Sequence, residues 1–159
     1  MAVPPIPAGY AGVTPYLIVR DAGRAIGFYK EVFGAYEGLR LDNPDGSVAH
    51  AELRIGEGWV MLGEEMAGMG YRGPLALGGS PVSLLVYVAD VDAVFTRALA
   101  AGAETKRAVA DQFYGDRSGA IVDPFGHQWM IATHVRDVSK EEMEQAMARM
   151  AAGDGAANS

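Results

Sequence analysis

Two stretches of this chain, 69 positions apart, carry nearly the same pattern, and such a repeat constrains the fold more than composition does. Val19-Arg20-Asp21 is matched by Val88-Ala89-Asp90, and each follows a short apolar segment with the β-branched and aromatic residues typical of strands. Both strands end at an aspartate, whose short carboxylate can accept hydrogen bonds from the first N–H groups of a helix. The repeat therefore predicts two copies of a strand–helix unit.

Each predicted helix ends at a glycine and is followed by turn signals and further strands. We expect Gly34 and Gly102 just past the ends of these helices, where glycine readily adopts a left-handed backbone conformation. Each half then reads β-α-β-β-β, a unit of roughly 50 residues that cannot cover its own sheet face. The sequence therefore predicts an α+β fold built from two paired βαβββ modules. The strands after the helices are predicted at residues 48–55, 59–62, 117–122 and 127–133.

The 159 residues suffice for a single domain with a core of its own. We place module one at about residues 12–65, a Gly- and Pro-rich linker at 66–81 and module two at about 82–135. A C-terminal helix and tail occupy residues 139–159. Residues 139–142 have the spacing of a capping box, which predicts a short helix through about Met150, and the tail from Gly153 is expected to be disordered.

Charge and composition exclude several classes of function. A formal net charge of −7 opposes a phosphate-binding surface, so we expect no nucleic-acid partner. The chain has no apolar run of membrane-spanning length and its first residues lack the pattern of a signal peptide, so we expect a cytoplasmic protein without a membrane partner. The absence of cysteine excludes disulfides, thiolate metal sites and cysteine nucleophiles.

The duplicated unit, the segment AIGFYKEVFG at residues 25–34 and the turn DPFG at 123–126 resemble the vicinal-oxygen-chelate superfamily. This superfamily contains glyoxalases, bleomycin-resistance proteins and extradiol dioxygenases, and the likeness covers about residues 12–135. The resemblance implies that the two paired modules form a curved sheet around a cavity. Because one fold hosts many chemistries, the resemblance constrains the fold more than the function. Three further motifs resemble the PhnB-like branch: HAEL at 50–53, DQFYGDR at 111–117 and ATHVRDVS at 132–139.

The resemblance implies a test for a metal centre. In the metal-dependent members each half supplies two ligands, one near the start of its first strand and one on its last strand. Here these positions fall on Thr14, Met61, Ser83 and Met130. Divalent ions of this class prefer imidazole and carboxylate donors, which hydroxyls and thioethers replace poorly. We therefore expect no metal at the usual position and no cofactor.

Strand alternation predicts which side chains line the cavity. If Met61 and Met130 point inward, residues at even steps from them do so as well, and the wall is mainly aromatic and sulfur-containing. The candidate ligand-binding residues on this side are Tyr16, Trp59, Met61, Tyr87, Met130 and His134. For His134 the alternative interpretation is a strand-end histidine bonded to the backbone.

Two further pairs of residues are candidates for a functional role, and each pair also has a structural interpretation. His50 and Glu52 share one strand face and are candidate catalytic residues, because a carboxylate can tune a neighbouring imidazole for acid–base work; otherwise they form a solvated face. Tyr114 and Arg117 lie in a loop where they could hold a planar or carboxylated ligand. Alternatively, Arg117 anchors that loop to Asp111 or Asp116.

Three functions remain open on this basis. The first is a metal-free protein that binds a small aromatic or antibiotic-like molecule. The second is an enzyme of the lyase, isomerase or dioxygenase type that uses His50 and Glu52 as acid and base, or a relocated metal held by these two residues and His134. The third is an interaction role. We also expect a homodimer, with the modules paired within one chain or swapped between chains.

Overall fold

The computed structural model describes residues 3–10 and 12–156. The first module has the predicted order of one strand, one helix and three strands, and the boundaries of its third strand agree with the prediction. A helix of one turn and a short 3-10 segment, Ala67–Met69, interrupt the linker. The elements of module one and the linker are β1 (Tyr16–Val19), α1 (Ala22–Phe33), β2 (Tyr36–Asp42), β3 (Val48–Ile55), β4 (Gly58–Glu64) and α2 (Pro74–Leu77).

The second module repeats this order and is followed by a C-terminal helix. That helix continues past Met150 to Ala156, so residues 153–156 are helical rather than disordered, and the last three residues of the predicted tail lie outside the described residues. No helix in the described part of the chain is both long and apolar enough to span a membrane. The elements are β5 (Ser83–Tyr87), α3 (Val91–Ala100), β6 (Glu104–Asp111), β7 (Asp116–Val122), β8 (Gln128–His134) and α4 (Lys140–Ala156).

Each module builds one four-stranded sheet. Sheet 1 has the order β1-β4-β3-β2 and sheet 2 the order β5-β8-β7-β6. Tyr16 pairs with Met61 across the parallel β1–β4 ladder, and Leu85 pairs with Met130 across β5–β8. These pairs obey the same 69-residue offset as the sequence repeat. The prediction of two βαβββ modules is confirmed.

The predicted aspartates cap the N-termini of α1 and α3. Asp21 accepts a hydrogen bond from the backbone N–H of Arg24, and Asp90 accepts one from that of Ala93. Asp21 adopts a left-handed conformation with φ 67°, which a residue with a side chain adopts only at a cost. The Glu64 carboxylate offsets this cost, since it accepts the backbone N–H groups of both Asp21 and Ala22 at 2.6 and 2.8 Å.

The core lies between the helices and the sheet faces that they cover. Leu53 and Leu62 of sheet 1 are fully buried, as is Ile131 of sheet 2, and all three belong to one continuous hydrophobic cluster. Burying a side chain of this size stabilises the fold by roughly 1.5–3 kcal/mol. Across the module boundary, the rings of Phe33 and Trp129 approach to 4.6 Å between centroids. The modules are therefore joined through their helix-covered faces.

This packing differs from the sequence-based prediction of a cavity between the two modules. The two sheets do not join into one sheet, and the faces that the helices leave uncovered are open. Tyr16 on sheet 1 and Tyr87 on sheet 2 are 49% and 57% exposed on these faces. A cavity enclosed by both modules is not formed within one chain, because the modules use their helix-covered sides to contact each other.

Candidate functional site

The open face of sheet 1, which is the face without helices, carries five of the candidate residues. Strand alternation separates them from the core, since Leu53 and Leu62 point to the helices while their neighbours point away. Glu52 lies directly opposite Met61 in the β3–β4 ladder, and Met61 opposite Tyr16 in the next ladder. The structure therefore brings together Tyr16, His50, Glu52, Trp59 and Met61 on one surface.

An aromatic pair dominates this surface. The ring of Tyr10 stacks on the indole of Trp59, with 5.5 Å between centroids and 28° between planes. Two glycines make room for the indole: a Cβ atom at Gly9 or Gly38 would approach it to 3.0 or 3.1 Å. Tyr10 precedes the predicted start of module one at residue 12, so its contact with Trp59 was absent from the sequence-based prediction.

A chain of hydrogen bonds runs beside the aromatic pair. The Tyr10 hydroxyl donates to Glu52 Oε2 at 2.6 Å, and Glu52 Oε1 lies 3.3 Å from His50 Nε2. His50 Nδ1 lies 2.9 Å from the Tyr16 hydroxyl. The His50 and Glu52 side chains are 22% and 20% exposed, so they belong to a partly buried network and not to a fully solvated strand face.

Three residues of the network have pKa values that depart from their ordinary ones. Burial and then the bond to Glu52 raise the pKa of Tyr10 to about 12. The hydrogen bond from Tyr10, aided by His50, lowers the pKa of Glu52 below its usual value. Burial, with Tyr71 nearby, raises the pKa of Tyr16. The arrangement holds an ionised carboxylate against an imidazole, which is the geometry needed for proton transfer to or from a bound molecule.

The open face of sheet 2 carries a second network around Asp116. This buried carboxylate accepts a hydrogen bond from the Tyr87 hydroxyl at 2.7 Å and lies 2.7 Å from His134 Nδ1. His134 Nε2 is 3.0 Å from Asp137 Oδ1. Bonds to Asp116 and then Asp137 raise the pKa of His134, while His134, and to a smaller extent Tyr87, lower that of Asp116. His134 is thus bonded to carboxylates, not to the backbone as its alternative interpretation had it.

Tyr114 and Arg117 lie apart from each other. The Tyr114 hydroxyl is 3.4 Å from the Oγ atom of Ser118. Ser118 pairs with Ala132 of β8, and its side chain is directed to the open face. Arg117 instead donates two bonds to Asp92, at 2.7 and 2.8 Å, and one to Asp111 at 3.1 Å. These bonds raise the pKa of Arg117. Of the two interpretations of Arg117, the anchored loop is the one observed, with Asp92 as an additional partner.

The module pair with its open sheet faces has a counterpart among known proteins. The sequence model of the Glyoxalase/Bleomycin resistance protein/Dioxygenase superfamily matches residues 10–131. The chain belongs to this superfamily. The match covers both modules and includes every candidate residue except His134, which follows its end.

Several known proteins resemble this chain along most of its length. An uncharacterized protein of Mycobacterium tuberculosis is 45% identical over 146 residues, which cover 90% of this chain and 85% of the relative. The crystal structure of TioX from Micromonospora sp. ML1 has 32% identity and a TM-score of 0.61, over 78% of this chain and 100% of TioX. A PhnB protein from Bacillus cereus has 18% identity and a TM-score of 0.61, over 76% of this chain and 98% of its own. The last likeness concerns the fold alone.

The residues at the superfamily's metal-ligand positions do not fit a divalent ion of the usual kind. The ladder pairs of Met61 and Met130 with β1 and β5 support the register that places Thr14 and Ser83 at the other two positions. Two hydroxyls and two thioethers offer neither the charge nor the donors that such an ion prefers. Among residues 3–10 and 12–153, whose side chains the structure describes, no three His, Asp or Glu side chains are grouped so that they could hold a metal. In one chain, His50 and Glu52 lie on sheet 1, whereas His134 lies on sheet 2.

The sequence-based prediction did not include Asp116 and Tyr10 among the candidate site residues. A pattern in the sequence would have indicated only Asp116. Asp116 lies an even number of residues before Ser118 and Ala120 on β7, so their side chains share one face of the sheet. This alternation would have placed Asp116 on the open face beside His134. Tyr10 had no such signal, because it lies in an irregular segment before β1. Its position is decided by the stacking on Trp59 and the bond to Glu52.

Proposed function

We propose that this protein binds a small aromatic molecule on its open sheet faces and does so without a metal ion. The observation that carries the proposal is the stacked pair of Tyr10 and Trp59 next to Met61. Stacked aromatic side chains contribute roughly 0.5–1.5 kcal/mol beyond simple burial, and a flat ligand gains the same kind of contact. Thioethers beside aromatic rings adapt their shape to different ligands.

A second feature on the same face supports this proposal. A pocket of about 360 Å³ is lined by Tyr16 and Ile18 of β1 and by Met66 and Tyr71 of the linker. Its size lies within the range of small-molecule sites, which combine apolar walls with a few polar groups. The polar residues of its lining are Tyr16, Glu64 and Tyr71. His50, whose Nδ1 lies 2.9 Å from the Tyr16 hydroxyl, is beside the pocket.

We further propose that the functional form is a homodimer. Tyr16, Leu85 and Tyr87 are each about half exposed on the open faces, and an apolar surface of this kind favours association. Within one chain the modules already contact each other through their helix-covered sides. If module two of a second copy packs against module one of the first, their open faces enclose a cavity. A closed two-fold pair is also the commonest symmetric arrangement of soluble proteins.

Fluorescence titration tests ligand binding. The probe is 1-naphthamide, a neutral planar molecule. We expect saturable quenching in the parent protein and much weaker quenching in Trp59→Phe, because Trp129 is buried against the helices and serves as an internal reference. Prior treatment with a chelator should leave the titration unchanged. Quenching of equal size in the variant, or a chelator-sensitive affinity, would contradict the proposal.

A second candidate function is acid–base catalysis at His50. It is favoured by the 3.3 Å contact between His50 and Glu52 and by the hydrogen bond that holds Glu52 from the other side. An imidazole held between a carboxylate and a phenol is placed to transfer a proton to or from a bound molecule. A kinetic test requires a bound molecule with an exchangeable proton, whose hydrogen–deuterium exchange should be slowed in His50→Ala.

A further inference from the structure

A cationic pocket lies on the open face of sheet 2, apart from the aromatic surface of sheet 1. It has a volume of about 320 Å³ and is bounded by strands β5 to β8. Its apolar lining residues are Ala120, Trp129 and Met130. Its polar rim consists of Ser83, Lys106, Arg107 and Gln128.

A β-bulge places two cationic side chains together at this rim. Thr105 pairs with Ile121, and Arg107 pairs with Ala120, so β6 has one more residue than β7 between these pairs. Regular alternation would send Lys106 and Arg107 to opposite faces of the sheet, whereas a bulge re-aims one side chain. Both residues therefore line the same pocket.

Neither cation has an acidic partner within the described ranges. The Lys106 ammonium donates to the side-chain oxygen of Gln128. Arg107 donates to the carbonyl oxygen of Ser118 at 3.3 Å and to its Oγ at 3.1 Å. A guanidinium has five N–H donors and an ammonium three, so both retain donors for a ligand. No Asp or Glu of the described chain lines the pocket, although the whole protein has a net charge of −7.

Comparison of the two repeats shows that module one lacks the two positive charges of this pocket. Gly38 and Leu39 stand at the positions in β2 that correspond to Lys106 and Arg107 in β6, and Trp59 corresponds to Gln128. Sheet 1 is thus aromatic where sheet 2 is cationic. The pocket also contains Ser83 and Met130, two of the positions where metal-dependent members of the superfamily have ligands. Two positive side chains there repel a divalent cation and attract a negatively charged oxygen group.

We propose that Lys106 and Arg107 bind the carboxylate of a small organic acid, with its apolar part on Met130. This proposal rests on the proposed function, because it specifies the charge class of the small molecule. The two side chains supply the positive charge that a metal ion supplies elsewhere in the superfamily. Arg and Lys bind carboxylates through charge-assisted hydrogen bonds, which are stronger than those between neutral groups.

Calorimetric titration with a matched pair of probes tests the proposal. 1-Naphthoate carries the carboxylate, and 1-naphthamide has nearly the same shape without the charge. We expect the parent protein to bind naphthoate at least about tenfold more tightly, the change that one charge-assisted hydrogen bond produces. The preference should weaken as the salt concentration rises.

Substitutions of Lys106 and Arg107 test whether the preference for naphthoate over naphthamide arises in the cationic pocket. Lys106→Gln combined with Arg107→Gln should reduce the affinity for naphthoate to that for naphthamide. Lys106→Gln alone should reduce it in part, and it leaves the Arg107–Ser118 bonds in place in case the double variant folds poorly. As a control, Lys140→Gln with Arg149→Gln removes the same charge from α4, outside the pocket, and should keep the preference.

The outcomes separate this proposal from the proposed function. Equal affinities for the two probes in the parent would overturn the cationic pocket while leaving aromatic binding at Trp59 intact. An unchanged preference in both pocket variants would also overturn it. If the parent binds neither probe, both the cationic pocket and the proposed function are contradicted.

Discussion

Tyr29 of α1 donates a hydrogen bond of 2.7 Å to the buried carboxylate of Asp123, and this bond joins module one to module two. The same carboxylate accepts the indole N–H of Trp129 at 2.9 Å and the backbone N–H groups of Phe125 and His127. Burial, followed by the neighbouring Asp123, raises the pKa of Tyr29 well above its ordinary value. Each carboxylate oxygen of Asp123 accepts two hydrogen bonds, and these bonds fix the contact between the two modules.

We expect Tyr29→Phe to lower the free energy of unfolding by about 1–3 kcal/mol, since it removes one donor from a buried carboxylate. Chemical denaturation monitored by circular dichroism measures this change. Tyr36→Phe is the matched control, because Tyr36 is 67% exposed and should lose little. Equal stability of the two variants would show that the Tyr29–Asp123 bond does not hold the modules together.

The proposed homodimer predicts a mass of twice the 16.8 kDa chain in light scattering at micromolar concentration. Leu85→Lys should shift the protein towards the monomer, because Leu85 is 54% exposed on the open face of sheet 2 and a charge there opposes burial. Met147→Lys on α4 introduces the same charge elsewhere and should leave the mass unchanged. A monomeric parent protein would argue against dimer closure of the cavity.

We expect His50→Ala and Glu52→Gln to reduce affinity for 1-naphthamide, or the rate of any reaction, more than they reduce stability. A partly exposed pair of this kind contributes about 0.2–1 kcal/mol to the free energy of unfolding. Parallel calorimetric titration and denaturation of each variant compare the two effects. Variants that bind and react like the parent would identify these residues as structural members of the Tyr10–Tyr16 network.

The contact of His134 with Asp116 predicts a pH-dependent stability. The pKa of His134 is raised above 6.5 in the folded protein, so its stabilising contribution is complete below about pH 6.5 and is lost as pH rises through the raised value. Asp116 remains ionised throughout this range because its pKa is lowered. The stability difference between the parent and His134→Asn should therefore be larger at about pH 5.5 than at about pH 9. A difference that grows with pH would contradict this assignment.

Local patterns along the chain determined much of this protein. The repeat around Val19 and Val88 predicted two βαβββ modules, and the period of two along each strand placed Trp59 on an open face and Trp129 in the core. These features depend on strand geometry, which alternates side chains between the two faces of a sheet. A pattern in the sequence therefore suffices to predict them.

Only the tertiary structure decided how distant groups meet. It showed that Tyr10 covers Trp59, that Arg117 is held by Asp92, and that the modules join through Tyr29 and Asp123 instead of enclosing a cavity within one chain. Each of these contacts links residues far apart in sequence or in an irregular segment, where no period relates one position to another. They are selected by the packing of the whole core and by the pairing of buried polar groups, to which residues from both modules contribute at once.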